Sequence, residues 1–328
     1  MIQTVFVTGG TGFIGSHTVE RLLEENYHVR CLVRPHQINL RWLQGLPVDI
    51  VKGDLLDSVS LSKCLEGADY IIHIAGVTKA KRKSEFFTGN VKATEHLLYA
   101  ASKMKHLKKF CYLSSLTAVG PSTTGIPLTE TTPCRPITTY GQSKLEAEHH
   151  CRHFADRMPI VIIRPPAVFG PRDKDILEMF KWVSYGFKPI IGSSEKTLSL
   201  VYAPDLAKGI IQATIDERTM GQTYNISNPT IFTFSSLIDY LATLAHKRTI
   251  HVHLPKGLFY SIAGIAQFFS TIGKKPAVLN VEKARDLLQK HWVCDSRKIW
   301  EHIGFQTSTS IYDGLNKTFQ WYKETGWL

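Results

Sequence analysis

No apolar run in this 328-residue chain reaches the roughly 18–20 residues that a helix needs to cross a bilayer, so no membrane span is expected. Nothing near Met1 resembles a signal peptide, because an apolar strand starts at once, and a cytoplasmic protein is expected. Cysteine is sparse: Cys31, Cys64, Cys111, Cys134, Cys151 and Cys294 are scattered and contain no Cys-x-x-Cys pair. That spacing fits reduced, buried thiols and argues against a disulfide framework or a zinc site. Carboxylates are outnumbered, with 28 Asp and Glu against 39 Lys and Arg, a formal net charge of +11. Such a balance suits nucleic acid, an anionic membrane surface or an anionic ligand. The densest basic cluster, Lys79 to Lys83, is short and has no recognition helix or aromatic ladder beside it, so nucleic acid is not expected. The remaining reading is a basic surface that attracts a phosphate-bearing cofactor. Repeats and low-complexity tracts are also lacking, and the length suits about two globular domains.

What is present begins at Thr8-Gly9-Gly10-Thr11-Gly12-Phe13-Ile14-Gly15. An apolar strand, Ile2 to Val7, precedes it, and Phe13, Ile14, Val19, Leu22 and Leu23 follow at helical spacing. Gly9, Gly12 and Gly15 fall on one side of the turn, where a pyrophosphate would lie against a helix N-terminus. A second strand, His28 to Val33, ends at Arg34, and no Asp or Glu occurs from Tyr27 through Val48. In dinucleotide folds an acid at this position bonds the 2′-hydroxyl of NAD, whereas a guanidinium pairs with the 2′-phosphate of NADP. NADP is therefore expected, with NAD possible in its place. After a third strand, Val48 to Lys52, Asp54 is placed to accept from an adenine amine with Leu55 on the ring, or to cap the helix near Ser58. A fourth, Tyr70 to Ile74, opens into small residues, Ala75 and Gly76, where a cofactor could pass close to the backbone.

Asn90 suits the N-cap of a helix carrying Leu97 and Leu98. A fifth strand, Phe110 to Leu113, ends in Ser114-Ser115. Tyr140 and Lys144 lie at i and i+4 of the next helix, so phenol and ammonium share a face. A cation there would lower the tyrosine from its usual value near about 10 and make it usable as an acid or base. Strand Ile160 to Ile163 is ended by Pro165 and Pro166. Beyond this the strand–helix alternation breaks down. The remaining expected elements include a strand at Leu198 to Tyr202, a helix at Asp205 to Asp216 and a last sheet strand at Thr223 to Ile226. Leu258 to Ile272, flanked by Lys256, Lys274 and Lys275, fits a buried helix of the second domain. A helix lying on a membrane or lining an entrance for an oily substrate is the lesser alternative. His149, His150 and His153 read as a polar helix face, with no carboxylate in the pattern to complete a metal site.

Taken together these residues resemble the extended short-chain dehydrogenase/reductase (NAD-dependent epimerase/dehydratase) family. The glycine stretch is similar to its TGGxGFIG loop, Tyr140 and Lys144 to its YxxxK pair, and Ser115 precedes Tyr140 by 25 positions. Asp54, His73 to Gly76, Asn90, Arg164-Pro165 and Asp205 follow in the family's order. The resemblance implies an α/β fold: a Rossmann-type doubly wound parallel sheet with a smaller, interleaved C-terminal α+β domain. Residues 1–165 plus 196–228 would bind NAD(P), and 166–195 plus 229–328 the substrate. It implies cofactor contacts at Gly9, Gly12, Phe13, Ile14, Gly15, Arg34, Asp54, Leu55, Ala75, Gly76, Asn90 and Pro165. Ser115, Tyr140 and Lys144 would be catalytic. Val-Arg-x-x-Val-Arg at Val29 to Arg34, and the apolar 258–272 segment, look like the dihydroflavonol-reductase and 3β-hydroxysteroid-dehydrogenase branch. That branch implies an oxidoreductase acting on a lipophilic or small cyclic hydroxy/keto substrate. The alternatives are a nucleotide-sugar epimerase or dehydratase and a non-catalytic NAD(P)-binding protein. The sugar-nucleotide reading is weakened by Val119 before Gly120, where a tyrosine is usual, and by the lack of arginine in Leu198 to Tyr202. A homodimer using Leu97 and Leu98 is a further implication.

Overall fold

The computed structural model describes residues 2–192, 195–272 and 279–328; Lys274 and Lys275, expected to flank the apolar segment, lie outside these. Strands β1 (Thr4–Thr8), β2 (His28–Val33), β3 (Asp49–Lys52), β4 (Tyr70–His73), β5 (Lys109–Leu113) and β6 (Ile160–Arg164) join Thr223–Asn225 in one parallel sheet. Their spatial order is Thr223–Asn225, β6, β5, β4, β1, β2, β3, so the winding reverses between β1 and β4. The strands alternate at period two between two buried layers. Val5 and Val7 pack with Val19, Leu22, Leu206 and Ile210 on one face, while Phe6 packs with Leu61, Leu97 and Ala147 on the other.

The helices of this half are α1 (Phe13–Glu24), α2 (Ser58–Cys64), α3 (Lys83–Phe86), α4 (Ala93–Ala101) and α5 (Thr139–Phe154). Two expectations are corrected here. The helix before β5 does not start at Asn90: α3 runs through a wider turn, Phe87–Lys92, into α4, so Asn90 lies inside a continuous helical segment and caps nothing. Leu97 and Leu98 are fully buried against the sheet and α5, so they are unavailable to a second copy.

The second half adds α6 (Asp175–Ser184), α7 (Ala203–Ile215), α8 (Phe234–Leu244), α9 (Lys256–Ile272), α10 (Val281–Leu287), α11 (Arg297–Ile303) and α12 (Ile311–Glu324). Helix α7 returns to the sheet beside α1. Helices α6, α8 and α12 share a separate core around Phe180, Leu241 and Tyr322, with Phe180 and Phe319 stacked at 5.3 Å. The expected strand Leu198 to Tyr202 is two strands in different sheets. Ser199 sits between them, donating its N–H to the Trp292 carbonyl and accepting at Oγ from the Cys294 N–H, which turns the chain from one sheet to the other. A parallel pair, Phe187–Ile191 with Ile250–Leu254, was not anticipated. Ile299, Ile303 and Phe305, placed by sequence with the second unit, pack into the core of the main sheet. Among the described residues no helix is long and apolar enough to cross a membrane.

Candidate active site

A cleft of about 1400 Å³ opens where the strand order reverses, as open parallel sheets require. Gly9 has φ +77°, and a Cβ there would lie 2.7 Å from the Ala75 nitrogen. A Cβ on Gly15 would stand 2.1 Å from the Gly9 carbonyl oxygen, so only glycine lets α1 begin beneath the loop. Helix α1 has no side-chain cap at Gly12 and no acid in its first turn. A Cβ on Gly12 would meet only the Gly9 oxygen within 4 Å. Uncapped N–H groups facing open space fit a pyrophosphate, and on this ground the site fits a dinucleotide.

Gly9, Gly12, Phe13, Ile14, Gly15, Arg34, Asp54, Leu55, Ala75 and Gly76 all line this cleft. Arg34 is exposed at the end of β2. Asp54 accepts from the Leu56 N–H at 2.9 Å, and Asp57 caps α2 through the N–H groups of Val59 and Ser60, so the capping alternative for Asp54 is set aside. Asn90 is the expected contact that does not reach the cleft. Its carboxamide accepts from the Val77 N–H at 2.6 Å and donates to the Val77 carbonyl and Ser143 Oγ. Helix α3 starts earlier than expected, which turns Asn90 inward as a brace for the loop after Gly76.

The same loop is tied to the sheet through a proton-ordered chain. The Ala75 N–H donates to Thr8 Oγ1, which meets His73 Nδ1 at 2.6 Å. His73 Nε2 meets Thr94 Oγ1 at 3.0 Å, and Thr94 donates to the Asn90 carbonyl. Thr94 gives its one proton to the Asn90 carbonyl, so it accepts from Nε2–H. Burial pushes the imidazole pKa down to about 3, so the ring is neutral and Nδ1 accepts from Thr8.

Ser115, Tyr140, Lys144 and Pro165 line the other end of the cleft. Ser115 Oγ accepts from the Thr117 N–H and from Thr117 Oγ1 at 2.8 Å. Lys144 is 4% exposed; its Nζ donates to the Leu113 carbonyl at 2.6 Å and sits 4.2 Å above the Tyr112 ring. The expectation that Lys144 lowers Tyr140 is corrected. Burial raises Tyr140 to about 12, with the Ser115 hydroxyl opposing and Asp286 adding to the rise. Burial likewise pushes Lys144 down to about 7, and its ammonium is spent on Leu113 rather than on the phenol.

Several residues here escaped the sequence reading. Glu148, one turn beyond Lys144, is wholly buried and takes a forked pair of bonds from Arg164 at 2.8 and 2.6 Å, with Ser114 donating at 2.6 Å. Burial alone would raise Glu148; the bonds from Arg164 and Ser114 outweigh it and hold the carboxyl low. Its signal was the i, i+4, i+8 series with Tyr140 and Lys144. Glu282 of α10 accepts from the Thr139 N–H at 3.0 Å and Thr139 Oγ1 at 2.6 Å, gripping the start of α5; no motif announces it. Of the basic cluster, Lys79 pairs with Asp175 and Lys83 with Glu282. Arg172 also lines the cleft, with φ +76°, its guanidinium 4.8 Å from the Trp42 ring and bonded to Glu20. Among the described residues its Nε and Nη1 are buried without partners. His149 lies 3.6 Å from Glu146, and among the described residues no cluster has the makings of a metal site.

A doubly wound parallel sheet with a glycine loop at its reversal point defines a dinucleotide-binding protein of the Rossmann type. The chain belongs to the NAD dependent epimerase/dehydratase family, whose profile matches residues 5–227, and is an oxidoreductase of that family. The resemblance drawn from its motifs is borne out at that level. It is 26% identical to a ceramide reductase of Caulobacter vibrioides, covering 99% of this chain and 96% of the relative. It is 30% identical to a decarboxylating sterol-4-alpha-carboxylate 3-dehydrogenase of Dictyostelium discoideum, over 64% of this chain and 66% of that one. Its fold superimposes on that of a UDP-glucuronic acid 4-epimerase from Bacillus cereus, solved in complex with NAD. That likeness has a TM-score of 0.78 and 24% identity, covering 98% of this chain and 99% of the other.

Proposed function

We propose that this protein is an NADP-preferring carbonyl reductase or alcohol dehydrogenase acting on a lipophilic or small cyclic hydroxy/keto substrate. The observation that carries the reading is the convergence of Ser115, Tyr140 and Lys144 on the cleft that begins at the glycine loop. The bound cofactor would supply or accept the hydride. Tyr140, protonated throughout the neutral range because burial raises it, would give its proton to the carbonyl oxygen. The Ser115 hydroxyl would orient that oxygen, and Lys144 would hold the ribose hydroxyls next to it. Arg34 would pair with the 2′-phosphate. Ceramide reductase and sterol dehydrogenase among the relatives support a lipophilic substrate. A nucleotide-sugar epimerase or dehydratase is the second reading, favoured by Arg172 Nε and Nη1, buried without a partner among the described residues, which suit a diphosphate.

An NADPH-coupled screen of ketones, steroids, flavonoids and nucleotide sugars tests the assignment. On the substrate so found, Tyr140→Phe is expected to lose on the order of 10²–10⁴ in kcat, the usual share of a positioned acid; full turnover in that variant overturns the catalytic role. In fluorescence titrations NADPH is expected to bind more tightly than NADH, and Arg34→Ala to remove the difference. Equal affinities in the parent protein would reject the NADP preference.

A further inference from the structure

Among the described residues, helix α9 packs one side inward and exposes the other. Phe259 and Ala263 pack against Ala284 and Leu288 of the α10 segment, and these fix its inner side. On the outer side Leu258 is 52% exposed, Ile265 59%, Phe268 64% and Phe269 65%, with Ile262 also exposed. At about 100° per residue, Leu258, Ile262, Ile265 and Phe269 fall within an arc of roughly 60°, with Phe268 beside it. The stripe is therefore a continuous apolar face turned to solvent, and the expectation of a buried helix holds for its opposite side alone.

Charge says what covers this face. From Tyr240 to Val281 the sequence has no Asp or Glu, while Lys247, Arg248, Lys256, Lys274 and Lys275 supply five cations. A second copy would bring the same cations together in a chain of net charge +11, and like charges across an interface are repelled. An anionic surface meets both the stripe and the cations. The helix has 17 residues, about 25 Å, too short to span a bilayer but suited to lying in its interface. The next helix, which packs on the inner side of α9, contributes Glu282 and Lys283 to the cleft lining.

We propose that α9 docks the protein on an anionic lipid bilayer, with Leu258, Ile262, Ile265 and Phe269 in the acyl boundary and Lys256, exposed at the start of the helix, against the headgroups. The proposal does not depend on the reaction assigned to the cleft. Its test is cosedimentation of the full chain with phosphatidylglycerol/phosphatidylcholine vesicles and with phosphatidylcholine vesicles. The expected result is binding to the anionic vesicles, weaker binding to the neutral ones, and weakening by salt. Leu258→Ser with Ile265→Ser should reduce partitioning at least tenfold while the melting temperature and NADPH titration stay unchanged, since both side chains are exposed. Three results would overturn it: parent protein left in the supernatant with anionic vesicles, equal pelleting of the double variant, or a dimer in gel filtration that the double variant dissociates.

Discussion

His73 is held between Thr8 and Thr94 in the chain of hydrogen bonds that reaches Ala75 beside the glycine loop, and burial disfavours its charged form. Its pKa is depressed in the folded state, to about 3 from an ordinary value of 6.5. The sign follows from that depression: below about pH 6.5 the unfolded chain takes up a proton that the folded chain refuses, so stability is complete above 6.5 and falls as pH drops toward 3. One proton is worth about 1.4 kcal/mol per pH unit. Over this window His73→Asn should lose stability less steeply than the parent by about that slope, measured by urea unfolding at a series of pH values. Identical slopes would mean that the imidazole is charged in the fold. Tyr140 and Lys144 obey the same logic at the reactive end, where burial favours a neutral phenol and weakens the ammonium. The sequence showed that the two share a helix face. It did not show that a backbone carbonyl, rather than the phenol, would take the ammonium.

At the scale of the element, α5 is a ruler with three marks: Tyr140 in the cleft, Lys144 under Leu113, and Glu148 clamped to Arg164 of β6. The last mark fixes the first two. Glu148 and Arg164 are both buried, and removing one member of such a pair strands the other charge. Glu148→Gln is expected to cost about 3–5 kcal/mol in chemical denaturation, whereas Glu148→Met with Arg164→Met should recover most of it. A single variant as stable as the parent would show that the pair does not anchor the helix. Elements built on local pattern were legible: the continuous apolar strands, the helix after the glycine loop, and α5 with its pair. Asn90 was misread because a polar residue before an apolar run is a cap signal whether or not the helix starts earlier. The Ile250-His-Val-His-Leu254 strand carried a period-two pattern that could have been read. Its partner, Phe187–Ile191, was hidden by Pro189.

For the whole molecule, the parallel sheet covered on both faces follows from strand–helix alternation, since parallel neighbours need crossovers. That the glycine loop, Arg34 and the Tyr140–Lys144 pair line one cleft follows from signals a few residues long, and Ser115 joins them from the end of β5. Glu282 was not found, since nothing near it in sequence says that it grips Thr139. Nor could the sequence tell which way α9 would face, because an apolar stripe beside a small buried one has the same period as a wholly buried helix.

The two ends of the cleft are joined over different lengths of chain, and that sets an order in time. Thr8 is separated by 67 residues from Ala75, the group it braces, whereas Thr139 waits 143 residues for Glu282. During synthesis the loop for the phosphates can be braced while the reactive helix, held by Asn90 and Thr138, still lacks the carboxylate that grips Thr139. A nascent chain released early would therefore carry a braced cradle and a loosely seated tool.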